Sequence, residues 1–359
     1  MGSGLDSSKR KPLSKESEFY GVLDSPNIRR VCFGAYEFDT WYGNAAYFAS
    51  DRELGTSVSS ISANGVENKS KSRKRSVTER VKTSELDKSS PYWLDKLYVC
   101  DYCFKYTDVE SNWQSHRASC RYATDIPPIG TLMYKDVYTP YIITRVRGFK
   151  DELFAQNLCL FGKLFLDNKS VYYNVDQFDF YIIYGQDDHS TSHNTPHFKP
   201  MGFFSKEVTA WDSDNNLACI CVFPPYQRRR LGSLLIEFSY ELAAVTPGQA
   251  LSGPEFPLSP YGKLSYLRFW SKRLAVILYD MVSAKVTKFN LTELAKVTGF
   301  RKEDILMTLE FMETLCDSSS NSKDNIVEFS SVNLGVWCKE NKVNVNEESR
   351  MLNTEFLIL

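Results

Sequence analysis

The stretch N-L-A-C-I-C-V-F-P-P-Y-Q-R-R-R-L-G-S-L-L-I-E-F-S, residues 216–239, decides how the surrounding chain folds. Residues 217–223 are nearly all apolar and are ended by Pro224 and Pro225. Such a run predicts a buried strand that stops at the prolines, which have no N–H to give to a sheet ladder. Past Gly232, the residues Leu234, Leu235, Phe238 and Leu242 recur at helical spacing. The unit therefore reads as strand, basic turn, helix. A helix start offers free N–H groups and the positive end of its dipole, which suits a pyrophosphate. Arg228, Arg229 and Arg230 put three positive charges at the same place. These residues point to a site for a phosphate-bearing cofactor; the other reading is a basic surface turn on any α/β domain.

A second pattern is more specific. Cys100-x2-Cys103-x12-His116-x3-Cys120 has the spacing of a four-coordinate zinc site. Four protein ligands leave no open position, so the metal would be structural, and its binding would supply folding energy to a segment with little core of its own. A DNA-reading finger is the runner-up, but the expected helix over residues 111–119 offers only Arg117 as a basic side chain.

Composition narrows the rest. The 359 residues suffice for two or three domains, and the net charge of −1 gives no overall pull toward nucleic acid or membrane. No run of about eighteen apolar residues exists, so no membrane association is expected. The N-terminus has no apolar signal region, and Asp6 stands where a myristoylation start needs Ser or Thr. Nine cysteines in such a chain argue for thiols and metal ligands rather than disulfides. Residues 1–17 read as a disordered tail. Residues 51–90 read as a mobile insertion carrying Lys69, Lys71, Arg73, Lys74 and Arg75: a solvated run, a nuclear-import address or a DNA-backbone contact. Residues 153–168 are apolar all round and predict a buried helix. Residues 171–184 and 201–208 predict strands pairing antiparallel with 217–223. His189, His193 and His197 share a loop whose Pro196 opposes the helix that would align them as metal ligands.

The motifs together resemble the MYST family of lysine acetyltransferases. F-G-x-Y-E-x-D-T-W-Y (residues 33–42), the Cys-Cys-His-Cys finger after L-Y-V-C, Q-N-L-C-L-x-x-K-L-F-L-D (residues 156–167) and P-P-Y-Q-R-x-x-x-G are similar to family signatures in the same order. The resemblance implies an α+β fold: a GNAT-like acetyltransferase core with a mixed, mainly antiparallel sheet. It further implies an N-terminal β-segment with the zinc finger and a C-terminal winged-helix-like lobe. The expected divisions are 1–17 tail, 18–50 β-segment, 51–90 insertion, 91–125 finger, 126–285 acetyl-CoA-binding core, 286–340 helix-turn-helix-like lobe and 341–359 tail. Glu303, Asp304 and Glu310 against Arg301 and Lys302 argue that the lobe is not a major-groove reader.

By this resemblance, Gln227, Arg228, Arg229, Arg230, Leu231, Gly232 and Ser233 hold the cofactor pyrophosphate, with Ile220, Cys221 and Val222 along the strand and Ser259 near the cofactor end. Arg230 stands where the family has a glycine, and Pro260 where it has an aspartate. Acetyl transfer needs an acceptor lysine stripped of its proton, and Glu255, in S-G-P-E-F-P-L-S-P, matches the family's general base. Cys219 matches the cysteine near the thioester. A buried thiol in an apolar strand is a poor nucleophile, so direct transfer is favoured over an acetyl-cysteine intermediate. Cys221 by itself reads as core. Lys163 matches the lysine that family members acetylate on themselves; from its own surroundings it reads as a snorkelling or paired lysine. The expected cosubstrate is acetyl-CoA and the expected metal Zn2+. The expected setting is the nucleus, with the histone H4 tail and nucleosomes as substrate and companion subunits of a SAS-like silencing complex as partners. Sequence-specific DNA binding is not expected. The alternative function is a catalytically weak zinc-finger and winged-helix module that binds chromatin.

Overall fold

The structure, a computed structural model, describes residues 22–23, 26–48, 93–166, 174–186, 198–208, 214–316, 325–345 and 350–358. The N-terminal tail, the basic run within 51–90 and the loop with His189, His193 and His197 lie outside those residues. The chain forms two compact units, Met1–Cys120 with Gln156–Tyr173, and Arg121–Ala155 with Asn174–Leu359. Both mix strands and helices, so the class is α+β.

In the first unit, β1 (Val22–Leu23) pairs with β4 (Gly43–Asn44), and a four-stranded sheet runs in the order β3 (Tyr36–Asp39), β2 (Ile28–Phe33), β5 (Leu94–Val99), β6 (Tyr106–Thr107). β2 and β5 are parallel, with Val31 opposite Leu97 and Phe33 opposite Val99, all four buried. That alternation is the period-two pattern of a half-buried strand. Helix α1 (Glu110–Ala118) follows, and α2 (Glu152–Lys163) returns the chain to this unit, where Phe161 stacks on Phe33 at 4.7 Å. The sequence predicts α2 to residue 168, but the helix ends at Lys163. The Leu164 carbonyl instead takes the amides of Trp41 and Tyr42 at 3.0 and 3.1 Å, a tertiary contact that replaces the next helical turn.

The second unit is built on a five-stranded, wholly antiparallel sheet. Its strands are β7 (Thr131–Lys135), β8 (Tyr141–Arg147), β9 (Phe178–Gln186), β10 (Phe198–Glu207) and, after β11 (Asn215–Leu217), β12 (Cys219–Val222). The order is β12-β10-β9-β8-β7, so β12 is an edge. Helix α3 (Leu231–Val245) covers the sheet by setting Phe238 against the stacked pair Tyr181 and Phe204. Next come β13 (Gly253–Pro254), the long α4 (Pro260–Ser283), β14 (Lys288–Asn290), α5 (Leu291–Thr298), α6 (Lys302–Phe311), β15 (Ile326–Glu328) and α7 (Ser331–Glu340). β14 and β15 pair antiparallel. Trp270 and Leu274 of α4, Leu294 of α5, Ile305 and Leu309 of α6 and Leu334 of α7 share one core. The Trp270 indole N–H donates to the Tyr240 hydroxyl at 2.8 Å, which satisfies a polar group in that apolar setting. Asn290 caps α5 by accepting the amides of Thr292 and Glu293.

The C-terminal segment, whose docking the sequence leaves open, packs on this unit. Met351 N–H donates to a carboxylate oxygen of buried Glu237 at 2.8 Å, and Ile358 N–H to the Met133 carbonyl at 2.8 Å. Burial pushes the Glu237 carboxyl up, and the Met351 and Leu352 amides pull it back. Among the described residues, no helix is long and apolar enough to cross a membrane.

Candidate active site and metal centre

The strand predicted over 217–223 is two strands that change partner. β11 pairs in parallel with β13, β12 pairs antiparallel with β10, and Ala218 between them donates to the Ser205 carbonyl at 2.7 Å. This exchange carries the S-G-P-E segment to the start of β12. Gly253 N–H donates to the Asp214 carbonyl at 3.0 Å and Glu255 N–H to the Leu217 carbonyl at 2.8 Å. Leu217 lies two residues before Cys219, so the backbone register brings the Glu255 segment alongside the beginning of the cysteine strand. The Glu255 side chain is exposed.

Of the two cysteines of β12, Cys221 is core as expected, and Cys219 departs from the buried thiol that was expected. Cys219 opens the strand opposite Ser205 and is only half-buried, whereas Cys221, opposite Phe203, is the buried one. Burial pushes the Cys221 thiol up and neighbouring Cys219 adds to it, which keeps Cys221 protonated. Ile220 points the other way and packs against the helical core.

β12 ends where the prolines require, and Pro224–Tyr226 form one tight turn. Buried Tyr226 and Leu231 anchor the loop at its two ends. Gln227 folds its amide N–H back to the Val222 carbonyl at 3.0 Å, and Arg229 lies 5.6 Å from the Tyr226 ring. Arg228, Arg229 and Arg230 are exposed. The first intrahelical bond of α3 runs from Leu234 N–H to the Arg230 carbonyl at 3.1 Å, so the amides of Leu231, Gly232 and Ser233 have no acceptor within the helix. No acidic residue offsets the dipole in this first turn. Half-buried Gly232 and Ser233 thus present backbone donors at an electropositive helix end.

Arg230 adopts φ 62°, ψ 9°, and Arg228 φ 63°. Both lie in the left-handed region, where a Cβ meets the following carbonyl at a cost of about 1–2 kcal/mol. Arg230 therefore takes the conformation that a glycine adopts freely. Arg230→Gly should stabilise the fold by about 1 kcal/mol, net of the extra entropy of the unfolded glycine chain. A raised urea midpoint with an unchanged m-value is the expected reading, and an unchanged midpoint would mean the strain is absent.

Ser259 caps α4, its hydroxyl oxygen accepting the Gly262 amide at 3.1 Å, and its O–H remains free to donate. Behind the Glu255 segment lies a polar pair, Arg301 and Asp304, that the sequence reading weighs only in the charge balance of the lobe. Arg301, at the start of α6, is turned inward with its side chain only 11% exposed. Asp304 is fully buried, and neither carboxylate oxygen has a hydrogen-bond donor. Their signal was present: Asp304 shares helical spacing with the buried stripe Ile305, Thr308, Leu309 and Met312. Burial pushes the Asp304 carboxyl up to about 7, against the opposing pull of Arg301. The folded state therefore holds this proton more tightly than the unfolded chain. The stability it contributes is full below about pH 4 and is lost as pH rises through about 7. Asp304→Asn, which mimics the protonated form, should be more stable than the wild type at pH 8 by roughly 2–4 kcal/mol, the gap closing toward pH 4. Melts across that range are the check; a gap independent of pH would rule the titration out.

In the first unit, Cys100, Cys103, His116 and Cys120 converge so that their ligand atoms all lie within 4.8 Å of one another. Cys100 follows β5, Cys103 sits in the turn before β6, His116 is on α1 and Cys120 lies just beyond it. The Trp113 indole N–H donates to the Val99 carbonyl at 3.0 Å, fastening α1 to the strand that delivers Cys100. Cys100 and Cys120 sulfurs are 3.8 Å apart, and Cys103 Sγ is 3.2 Å from His116 Nε2. A tetrahedral zinc with Zn–S bonds of about 2.3 Å has S···S edges of about 3.8 Å, so the group fits the ion. Arg117, the one basic side chain of the expected finger helix, is held by buried Asp101 through two hydrogen bonds of 2.7 and 3.1 Å. It is thereby committed to the fold.

The MOZ/SAS family model matches residues 127–357. Histone acetyltransferase SAS2 of Saccharomyces cerevisiae is 42% identical over 320 residues, 89% of this chain and 83% of that protein. Histone acetyltransferase mst1 of Schizosaccharomyces pombe is 38% identical over 62% of this chain, and histone acetyltransferase MOF of Drosophila melanogaster is 36% identical over 84% of it. This chain spans 44% and 29% of the length of those two. With an α+β fold and a Cys3His metal group in place, these likenesses define an acyltransferase. The chain belongs to the MOZ/SAS family, as the resemblance to MYST proteins implies.

Proposed function

We propose that the protein transfers acetyl from acetyl-CoA to a lysine of a histone tail, that of H4, as the catalytic subunit of a SAS-like silencing complex in the nucleus. The observation that carries this is the register of Glu255 against Leu217, which hangs a carboxylate beside the strand leading to the α3 N-terminus. Glu255 accepts the proton of the incoming lysine ammonium. The freed lone pair attacks the thioester carbon, the C–S bond breaks, and the departing thiolate takes up the second proton that the nitrogen gives up on becoming an amide, so that a thiol leaves. Half-buried Cys219 shapes the pocket near that carbon, and transfer is direct. The unpaired amides of Leu231, Gly232 and Ser233, with Gln227 and the three arginines, receive the pyrophosphate. Ile220, Cys221 and Val222 line the pantetheine path, with Ser259 at its reacting end. The catalytic unit is GNAT-like, and β14 to α7 form a winged-helix-like lobe for partners rather than for DNA. Zinc holds the finger together. Lys163, buried in the last turn of α2, is the autoacetylation site.

The test is transfer of labelled acetyl to an H4 tail peptide and to nucleosomes, with and without co-purified subunits. Label on H4 lysines supports the proposal. The exposed Arg228, Arg229 and Arg230 favour a second reading, a chromatin-binding module. Nucleosome binding with neither acetyl transfer nor coenzyme A binding by calorimetry would select it.

A further inference from the structure

We propose that Arg301 is a positioning residue for Glu255, fixing from the α5–α6 turn the peptide planes that immediately precede the carboxylate. The inference rests on the reading of Glu255 as the general base. Gly299 ends α5 with φ 75°, a left-handed turn that releases the chain toward Phe300 and Arg301. The same turn pairs with the base segment: Ser252 N–H donates to the Gly299 carbonyl at 3.0 Å. From there the guanidinium spreads across both strands of the β11–β13 pair. Nη1 donates to the Pro254 carbonyl at 2.9 Å. Nη2 reaches the Asp214 carbonyl at 2.7 Å, Asn215 Oδ1 at 2.7 Å and the Gly253 carbonyl at 3.3 Å, and Nε stands 2.7 Å from Asp214 Oδ2.

β13 is two residues long and its register against β11 shifts, so the ladder alone holds it weakly. Charge-assisted bonds from one planar fork to acceptors on both strands supply what the ladder lacks. The packing is close as well. A Cβ on Gly253 would lie 2.5 Å from Asp304 Oδ2 and 3.3 Å from Arg301 Cζ, so only glycine lets α6 press against this backbone. Glu255 itself is exposed, yet the peptide plane that precedes it is held at both edges: the Pro254 carbonyl by Arg301 and the Glu255 N–H by the Leu217 carbonyl. A lysine at 301 has a single nitrogen and cannot span both strands.

The test is a double-mutant cycle in the full chain, assayed with its co-purified subunits. Arg301→Ala should lower kcat by about 10- to 100-fold, the range expected when a catalytic group is misplaced by about 1 Å. KM for acetyl-CoA should stay within about twofold, because the cofactor loop is untouched. Arg301→Lys should recover only part of the loss. In the Glu255→Gln background, Arg301→Ala should cost less than about threefold, since a residue acting through Glu255 has nothing left to position. Equal losses in both backgrounds would make Arg301 merely structural and overturn the inference, as would wild-type kcat in Arg301→Ala beside an inactive Glu255→Gln. Full turnover by Glu255→Gln is a different failure, which overturns the base assignment itself. Should Arg301→Ala fail to fold, the same cycle is run with Arg301→Gln, which keeps one hydrogen-bonding arm.

Discussion

Glu255→Gln is expected to lower the rate of acetyl transfer by about 10²–10⁴-fold, the range that a positioned general base contributes. Glutamine keeps the size and shape of glutamate but cannot take up the ammonium proton. Its amide would leave the fold alone. The side chain is exposed, and the hydrogen bond tying residue 255 to the Leu217 carbonyl comes from the backbone. The melting temperature should therefore stay within about 2 °C, as for surface changes that break no buried contact. Single-turnover transfer to an H4 tail peptide at saturating acetyl-CoA isolates the chemical step from cofactor binding. A variant that turns over like the wild type would remove Glu255 from the mechanism.

Stripping the metal should have the larger structural effect. Structural zinc in finger-like sites contributes roughly 10–16 kcal/mol of apparent binding free energy, which exceeds the stability of most whole domains. Here the four ligands come from a strand end, a turn, a helix and the residue after it, and they meet as one group within 4.8 Å. Hydrogen bonding with Cys103 and Cys120, together with burial, raises the Cys100 thiol above its ordinary range, and a bound zinc would take the sulfur as thiolate. A strong chelator, or Cys103→Ser, should release one zinc per chain and melt the segment from β5 to Cys120. Zinc release followed with a colorimetric chelator, beside circular dichroism, reads both events. Native dichroism and an unchanged melt after complete zinc removal would contradict a structural metal.

The sequence by itself determined what short spacing can carry. The zinc ligands were legible because a two-residue and a three-residue gap, set on a strand end and a helix, fix ligand geometry locally. The strand, basic turn and helix of residues 216–239 were legible because the prolines and the helical period are local signals. The antiparallel pairing of 201–208 with the strand that follows was legible, and β10 against β12 bears it out; only the tertiary structure decided that residues 215–217 turn away to join β13, because that partner change at Ala218 depends on a segment well beyond the helix. It also decided that Cys221 rather than Cys219 is the buried thiol, since burial follows from the facing residue on β10. Arg301 read as one charge in a mixed helix until its acceptors, 47 and 87 residues back, came within reach. A pattern within one helix reports which face is apolar. It cannot report which distant carbonyls will meet a buried guanidinium, because that pairing exists only once two separately encoded elements have packed together.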